Sequence, residues 1–192
     1  MDRCSHHCLT CAIGEATRGH TKIRDRFMDL AVMADPAAES ESVSLTPRPG
    51  LRPADVLCSA AARGGLAALD VGVTMPTDSH GNVDAAQAHA DMKMRKYRRY
   101  LHEMEPQGIM YKPIIWTAWG RAHRDVVAVL RSLATRAARR RGLASPSELL
   151  SQARRNIAME LQARAARMVL ACLPTQEDMD EEEEDANQGV SQ

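Results

Sequence analysis

The chain has 192 residues, of which 44% are hydrophobic and only 3% aromatic. That is enough for one ordinary domain with tails, and it favours helices packed on a small sheet over an aromatic-rich β-sandwich. The formal net charge of zero conceals an asymmetry, because residues 177–185 hold eight of the 25 acids and leave 17 acids against 25 bases, or +8, elsewhere. A basic body suits a polyanionic partner, and the acidic run would either compete for that surface or only keep the chain soluble.

The lack of recognisable membrane and secretion signals predicts a protein of the nucleus or cytoplasm that is not secreted. No run approaches the roughly 18 apolar residues of a membrane span, so no membrane partner is expected. The N-terminus, "MDRCSHHCLTC", lacks the apolar centre of a secretory signal. The five cysteines, three of them within eight residues, do not resemble a disulfide framework.

The predicted elements follow the order helix, two or three strands, helix, strand and two helices. Residues 20–34 have helical apolar spacing, and residues 35–53 are predicted as loop or edge material. "ADVLCSA" and "LAALDVGVT" read as two strands that the turn "ARGG" joins into a hairpin.

The second half of the chain is predicted to be mostly helical. A basic helix is expected over 83–105, followed by a strand within 108–120 in which Pro113 marks a bend or an edge. Residues 123–141 predict another helix. The last one is expected over 145–173, with Ser145 as its N-cap and Pro146 at the first helical position.

Two aspartates stand out in the predicted hairpin. Asp55 opens the first strand, and Asp70 lies within the second, on the same side as Gly72. If the strands pair through the short turn, both carboxylates lie on one face, where such a pair usually holds a divalent cation or shares a proton. Mg²⁺, or Mn²⁺ in its place, suits two carboxylates and a backbone carbonyl. The alternative is that Asp55 belongs to a turn and that Asp70 faces water from an edge strand.

The basic helix that follows brings cations near these acids. Lys93, Lys96 and Tyr97 stand at i, i+3 and i+4 and therefore share one helical face. A lysine beside a metal-bound water would orient the water or favour its deprotonated form. Phosphate groups of DNA are the expected partners of the arginines on this helix, Arg95, Arg98 and Arg99. The alternative is a solvated basic face without a partner.

Taken together, "RPADV", "ALDV-x-V", "K-x(2)-KY" and a later strand with proline leading to a glycine resemble a known family. They are similar to the restriction-enzyme-like endonuclease domain of site-specific non-LTR retrotransposon reverse transcriptase proteins, a branch of the PD-(D/E)xK superfamily. The resemblance covers roughly residues 20–135. It departs from the family at Thr117, where an acid is common.

The resemblance implies roles for particular residues. Asp55 and Asp70 would bind the metal, and Lys93, or else Lys96, would be the catalytic lysine on the helix. Tyr97 would set the helix against the sheet or touch the DNA backbone. His20, in "RGH", would correspond to an "RH" motif that the family places before its first helix and that we assign to nucleic-acid binding.

The N-terminal segment carries the residue types of a zinc site. In the related elements a CCHC zinc knuckle precedes the nuclease, and here "C-x(3)-C-x(2)-C" is joined by an H-x(4)-C half. A tetrahedral Zn²⁺ could use four of these side chains, our choice being Cys4, His6, Cys8 and Cys11. The alternative is an oxidisable tail without metal.

We therefore expect an α/β fold, a small mixed sheet flanked by helices, restriction-endonuclease-like, with extra C-terminal helices. The expected segments are a truncated zinc knuckle (1–19), the nuclease-like domain (20–135), a helical extension (136–173) and a disordered acidic tail (174–192). The predicted function is a metal-dependent DNA endonuclease derived from a retrotransposon. The alternatives are a catalytically inactive nucleic-acid-binding remnant and a decayed reading frame without function.

Overall fold

The computed structural model describes residues 13–42, 45–46, 52–62, 64–75 and 84–171. Its helices are α1 (Ile13–Ala34), α2 (Ala85–Met104), α3 (Arg124–Arg140) and α4 (Ser147–Leu170), with a 3-10 turn at Glu105–Gln107 after α2. Its strands are β1 (Glu39–Ser40), β2 (Val56–Cys58), β3 (Leu66–Thr74) and β4 (Ile109–Thr117).

The four strands form one mixed sheet in the order β1-β2-β3-β4. β2 and β3 pair antiparallel, with Val56 opposite Leu69, which confirms the predicted hairpin. β4 returns through α2 and pairs parallel to β3, with Asp70 opposite Pro113. Pro113 thus lies in an end strand of this sheet, where its missing N–H costs no ladder hydrogen bond.

Helices cover both faces of the sheet. On one face, β2, β3 and β4 contribute to the main core with apolar residues of α1, α3 and α4, such as Phe27, Leu133 and Ile157. On the other face, α2 packs a second cluster that contains Tyr97, Tyr100 and Tyr111. Because alternate residues of a strand face opposite sides, β3 gives Leu69 and Val71 to the main core and turns Asp70 and Gly72 toward α2.

Local capping explains where two of the helices begin. The Asp84 carboxylate accepts a hydrogen bond from the Gln87 amide at the start of α2, and the His123 ring caps α3 through the Asp125 amide. The predicted helix over 145–173 begins later than expected. Ser145 Oγ accepts from the Ser147 N–H, but α4 itself starts at Ser147.

The helix predicted to begin at residue 20 begins at Ile13, so the "RGH" motif lies inside α1 and not before it. Gly19 makes this packing feasible, because a Cβ there would overlap the side chain of Arg164 on α4. The close approach of two helices therefore uses a glycine that reads in sequence as a helix breaker.

Two of the expected segment boundaries fall inside continuous helices. The boundary at 19/20 lies within α1, and the one at 135/136 lies within α3. Within the predicted helical extension, Leu149, Ala153 and Ile157 of α4 belong to the main core. The acidic run and residues 1–12 lie outside the described residues.

The chain thus has an α/β fold with a small mixed four-stranded sheet and four helices in its described part. None of the helices described is long and apolar enough to cross a membrane.

Candidate active site

The main chain of Val71 connects the two aspartates. Its N–H donates to Asp55 Oδ2 at 2.7 Å, and its carbonyl oxygen accepts from Lys93 Nζ at 2.9 Å. The Lys93 ammonium also bonds Asp70 Oδ1. A strand of the sheet and the helix packed on it therefore bring both acids and a lysine around the main chain of one residue, Val71.

Asp70 is the most enclosed member of this group, with 10% of its side chain exposed. Lys93 holds one carboxylate oxygen, and the Tyr111 hydroxyl donates to the other at 2.5 Å. Burial raises the pKa of Asp70, and the charge of Asp55 adds to that effect, while Lys93 and Tyr111 oppose it. The carboxylate is thus kept from water but supplied with two donors.

Asp55 lies nearer to solvent, with 19% of its side chain exposed, and it is joined by His20. His20 Nε2 is 3.4 Å from Asp55 Oδ2 and 3.1 Å from the Val71 carbonyl oxygen. The hydrogen bond with Asp55 raises the pKa of His20, against the opposing effect of burial. No described donor contacts Asp55 Oδ1.

Gly72 provides the space through which the lysine reaches the acids. A Cβ at position 72 would lie 2.7 Å from Ile115 Cδ1, 3.3 Å from Lys93 Cε and 3.4 Å from Lys93 Nζ. Any larger residue would therefore displace the end of the Lys93 side chain. Glycine at position 72, which has no functional group, thus allows the lysine on α2 to reach the acids.

Lys96 and Tyr97, which the sequence placed on the same face of α2 as Lys93, lie in different surroundings in the structure. The Lys96 side chain is exposed, and its ammonium lies over the Tyr97 ring at 5.1 Å from the centroid. Tyr97 itself is buried and packs on Tyr111, with the ring centroids 5.2 Å apart. Of the two proposed lysines, Lys93 is the one that contacts the acids.

The predicted phosphate-binding arginines of α2 all face solvent. Arg95 and Arg98 line a shallow cavity of about 350 Å³, and the Arg99 guanidinium lies 4.8 Å from the Tyr100 ring centroid. His20, assigned with them to nucleic-acid binding, lies instead between Asp55 and Val71. The predicted zinc ligands, Cys4, His6, Cys8 and Cys11, lie outside the described residues.

Sequence reasoning missed Tyr111 and the Val71 carbonyl. Tyr111 occupies an ordinary position in an apolar strand, and its contact with Asp70 follows from the parallel pairing of β3 and β4, which sets Tyr111 opposite Ala68. The available clue was general: a buried tyrosine hydroxyl usually finds a hydrogen-bond partner. Burial, with the negative charge of Asp70 beside it, raises the pKa of Tyr111, so its hydroxyl remains a donor.

The site contains oxygen atoms of the kind that hard divalent cations bind. Two carboxylates and the Val71 carbonyl already attract cationic or hydrogen-bond donor groups, namely Lys93 and His20. Mg²⁺ binds such oxygens and usually keeps several waters. The described residues contain no group of three or more His, Cys, Asp or Glu side chains arranged to hold a metal, so the third protein ligand would have to be the carbonyl.

Comparisons with known proteins give no further guide to this site. No family model, no curated protein and no solved structure matches the chain.

Proposed function

We propose that this protein is a metal-dependent DNA endonuclease of the restriction-endonuclease-like type. The observation that carries the proposal is the convergence of Asp55 and Lys93 on the main chain of Val71, with Lys93 also bonded to Asp70. The resemblance of the sequence to the nuclease domain of non-LTR retrotransposon proteins supports the same reading. Hydrolysis would add water across a phosphodiester P–O bond of DNA.

Asp55, Asp70 and the Val71 carbonyl would hold Mg²⁺ or Mn²⁺. Such an ion supplies a water of lowered pKa and neutralises charge on the phosphate. Lys93 now lies between Asp70 Oδ1 and the Val71 carbonyl, so its ammonium would have to move aside or share these oxygens. Gly72 leaves the room beside Lys93 that such a movement needs.

Lys93 would orient the attacking water and stabilise the negative charge that develops on the phosphate. It is suited to this because Asp70 and the Val71 carbonyl hold its ammonium beside the acids, whose oxygens it would share with the ion. Tyr111 would hold Asp70 in place through Oδ2 and leave Oδ1 for the reacting groups. Exposed arginines of α2 would bind the DNA backbone through charge.

Nicking of supercoiled plasmid by the full chain tests this proposal. Nicking should require Mg²⁺ or Mn²⁺ and stop in EDTA, and both Asp70→Ala and Lys93→Met should lower the rate by about 100-fold or more. Lys96→Met is the matched control, because this lysine lies on the Tyr97 ring and should leave most of the rate intact. Circular dichroism should show that each variant is folded. Undiminished nicking by Asp70→Ala would exclude the assignment.

A second candidate is a nucleic-acid-binding protein without catalysis. It is favoured because both carboxylate oxygens of Asp70 already accept hydrogen bonds from protein groups. In that case the acid and Lys93 form a structural ion pair beneath a basic helix. Salt-sensitive DNA binding without any divalent-dependent nicking would select this candidate over the nuclease.

A further inference from the structure

One aromatic side chain of this molecule, that of Trp119, differs from all the others in its exposure to solvent. The chain contains two Trp, three Tyr and one Phe, and all six lie among the described residues. Five are buried, whereas Trp119 is 61% exposed. One of the two tryptophan rings of a protein poor in aromatic residues is thus in contact with solvent.

The main chain around Trp119 is fixed by hydrogen bonds on both sides. The Ala118 N–H donates to the Thr74 carbonyl at 2.7 Å, and the Gly120 N–H donates to the Thr117 carbonyl at 2.9 Å. The Thr117 N–H donates to the Arg121 carbonyl at 2.8 Å, and Gly120 takes a φ of +89°, which favours glycine. Trp119 is therefore presented from a rigid turn, so little conformational freedom of the backbone would be lost on binding.

The turn follows the end of β4 and is bonded to the end of β3, the strand that carries Asp70. It is bonded to Thr74, which is four residues beyond Asp70 on β3, or about 13 Å at the usual rise of a strand. That is on the order of four nucleotide steps at the 3.4 Å rise of duplex DNA. A strand of DNA with its phosphate at the acids would extend past this turn.

Two arginines follow Trp119 closely in the chain. Arg121 is half-exposed and pairs with Asp84 at 3.2 Å, and Arg124 is exposed one turn further on. Outside its acidic run the chain carries +8. A flat aromatic ring beside arginines on a basic body matches the combination by which proteins bind unpaired bases, since every base presents a face on which such a ring can stack.

We propose that Trp119 stacks on an unpaired base of single-stranded DNA a few nucleotides from the scissile phosphate. This deepens the proposed nuclease function and rests on it for the identity of the polymer. It makes locally unpaired DNA the preferred substrate over intact duplex, because a base within a duplex offers no free face to the ring.

Binding in EDTA, where no cleavage occurs, tests the inference without reference to catalysis. The full chain would be titrated with a mixed-sequence 20-nucleotide single strand and with the corresponding duplex, by fluorescence anisotropy of a labelled oligonucleotide. Trp119→Ala should weaken single-strand binding about 5- to 150-fold, the range measured for loss of one stacking contact. Duplex binding should change less than about twofold, because the phosphate contacts are untouched.

Two further variants separate stacking from mere apolar contact. Trp119→Phe should retain most of the single-strand affinity, whereas Trp119→Leu should lose it, because leucine has no flat π-face. An RNA strand of the same sequence distinguishes the two sources of unpaired bases, and tighter binding of RNA than of DNA would overturn the choice of DNA.

Equal single-strand affinity of Trp119→Ala and the wild type, or an equal loss for single strand and duplex, would overturn the inference. The first result would fit a protein-docking role for the turn. Failure of the nuclease proposal is seen separately, as plasmid nicking that survives Asp70→Ala or never occurs.

Discussion

At the scale of single residues, the candidate site depends on two positions of β3 that supply no functional side chain. Val71 contributes its peptide N–H and carbonyl oxygen, which hold Asp55, Lys93 and His20. Gly72 contributes only the absence of a Cβ. Because strand residues alternate, Val71 can bury its side chain in the main core while its main chain serves the site.

Gly72→Ala should disturb this arrangement in two ways. The new Cβ would lie 2.7 Å from Ile115 Cδ1 and 3.3 Å from Lys93 Cε. Crowding of a packed core typically costs about 1–3 kcal/mol, so the free energy of unfolding from urea titration should fall by that amount. The nicking rate should fall as well, since the lysine is pushed from the acids.

The two clashes can be separated with Ile115→Val, which removes Cδ1 and by itself costs about 0.5–1.5 kcal/mol. In the double variant the loss of stability should be smaller than the sum of the single losses, while the nicking defect remains. Full recovery of nicking in the double variant would show that Lys93 is not displaced by the Cβ.

His89 predicts a pH dependence of stability. It lies one turn before Lys93 on α2, half-buried, and burial together with the charge of Lys93 lowers its pKa. A lowered pKa in the folded state means that the unfolded chain binds the proton more readily, so this stability is present above about pH 6.5 and is lost as the pH falls through the folded-state pKa.

His89→Gln should therefore retain more of its pH 7 stability at pH 5 than the wild type does, as measured by urea midpoints at both values. His102→Gln is the matched control, because His102 lies on the same helix with 72% of its side chain exposed. Equal acid sensitivity of His89→Gln and the wild type would contradict the prediction.

At the scale of elements, periodicity and turn chemistry sufficed for most of the described fold. The β2–β3 hairpin followed from two apolar runs around a glycine turn, and Pro113 indicated an edge. The start of α1 could not be predicted, because a glycine at position 19 reads as a helix breaker. The contact with Arg164 that favours glycine there is distant in sequence. β1, with two residues, has too little pattern to be recognised.

In the candidate site too, contacts between residues distant in sequence could not be predicted. The proximity of Asp55, Asp70 and Lys93 was accessible from local spacing, since a hairpin and the next helix carry all three. Tyr111 was not, because its contact with Asp70 depends on the parallel pairing of β3 and β4 across 41 positions of sequence. Contacts set by strand order have no local signature.

The exposed face of α2 predicts how binding should respond to salt. Arg95 and Arg98 face solvent along one shallow cavity, so each should neutralise a phosphate if duplex DNA lies there. The double variant Arg95→Ala/Arg98→Ala should lower the slope of log affinity against log salt by about 1.8, or 0.9 for each lost contact. This slope is obtained from anisotropy titrations at salt concentrations between about 50 and 300 mM.

A matched pair of arginines is available on α4. Arg154 and Arg155 are also exposed, but they belong to the helix that packs on α1 and α3, away from the α2 face of the sheet. Arg154→Ala/Arg155→Ala should leave the slope unchanged. If both double variants lower the slope equally, the chain binds DNA through its overall charge and not through α2.

At the scale of the whole molecule, the separation of charge along the sequence predicts self-regulation of DNA binding. Residues 177–185 carry eight negative charges, and the remainder of the chain carries +8. A polyanionic segment tethered to a basic body would compete with DNA at an effective concentration set by its tether. Its effect must weaken with salt, because the Debye length shortens from about 10 Å at 0.1 M to about 3 Å at 1 M.

Replacing the eight acids with their amides keeps the length of the chain and raises its formal charge from 0 to +8. If the run competes with DNA, the variant should bind duplex about tenfold or more tightly at low salt. This difference should shrink toward none near 0.5 M. A synthetic peptide of residues 172–192 added in trans should weaken binding by the variant, whereas its amide counterpart should not. If affinity is the same for both chains at every salt concentration and only solubility falls in the variant, then the acidic run keeps the protein soluble and the basic surface is open to DNA at all times.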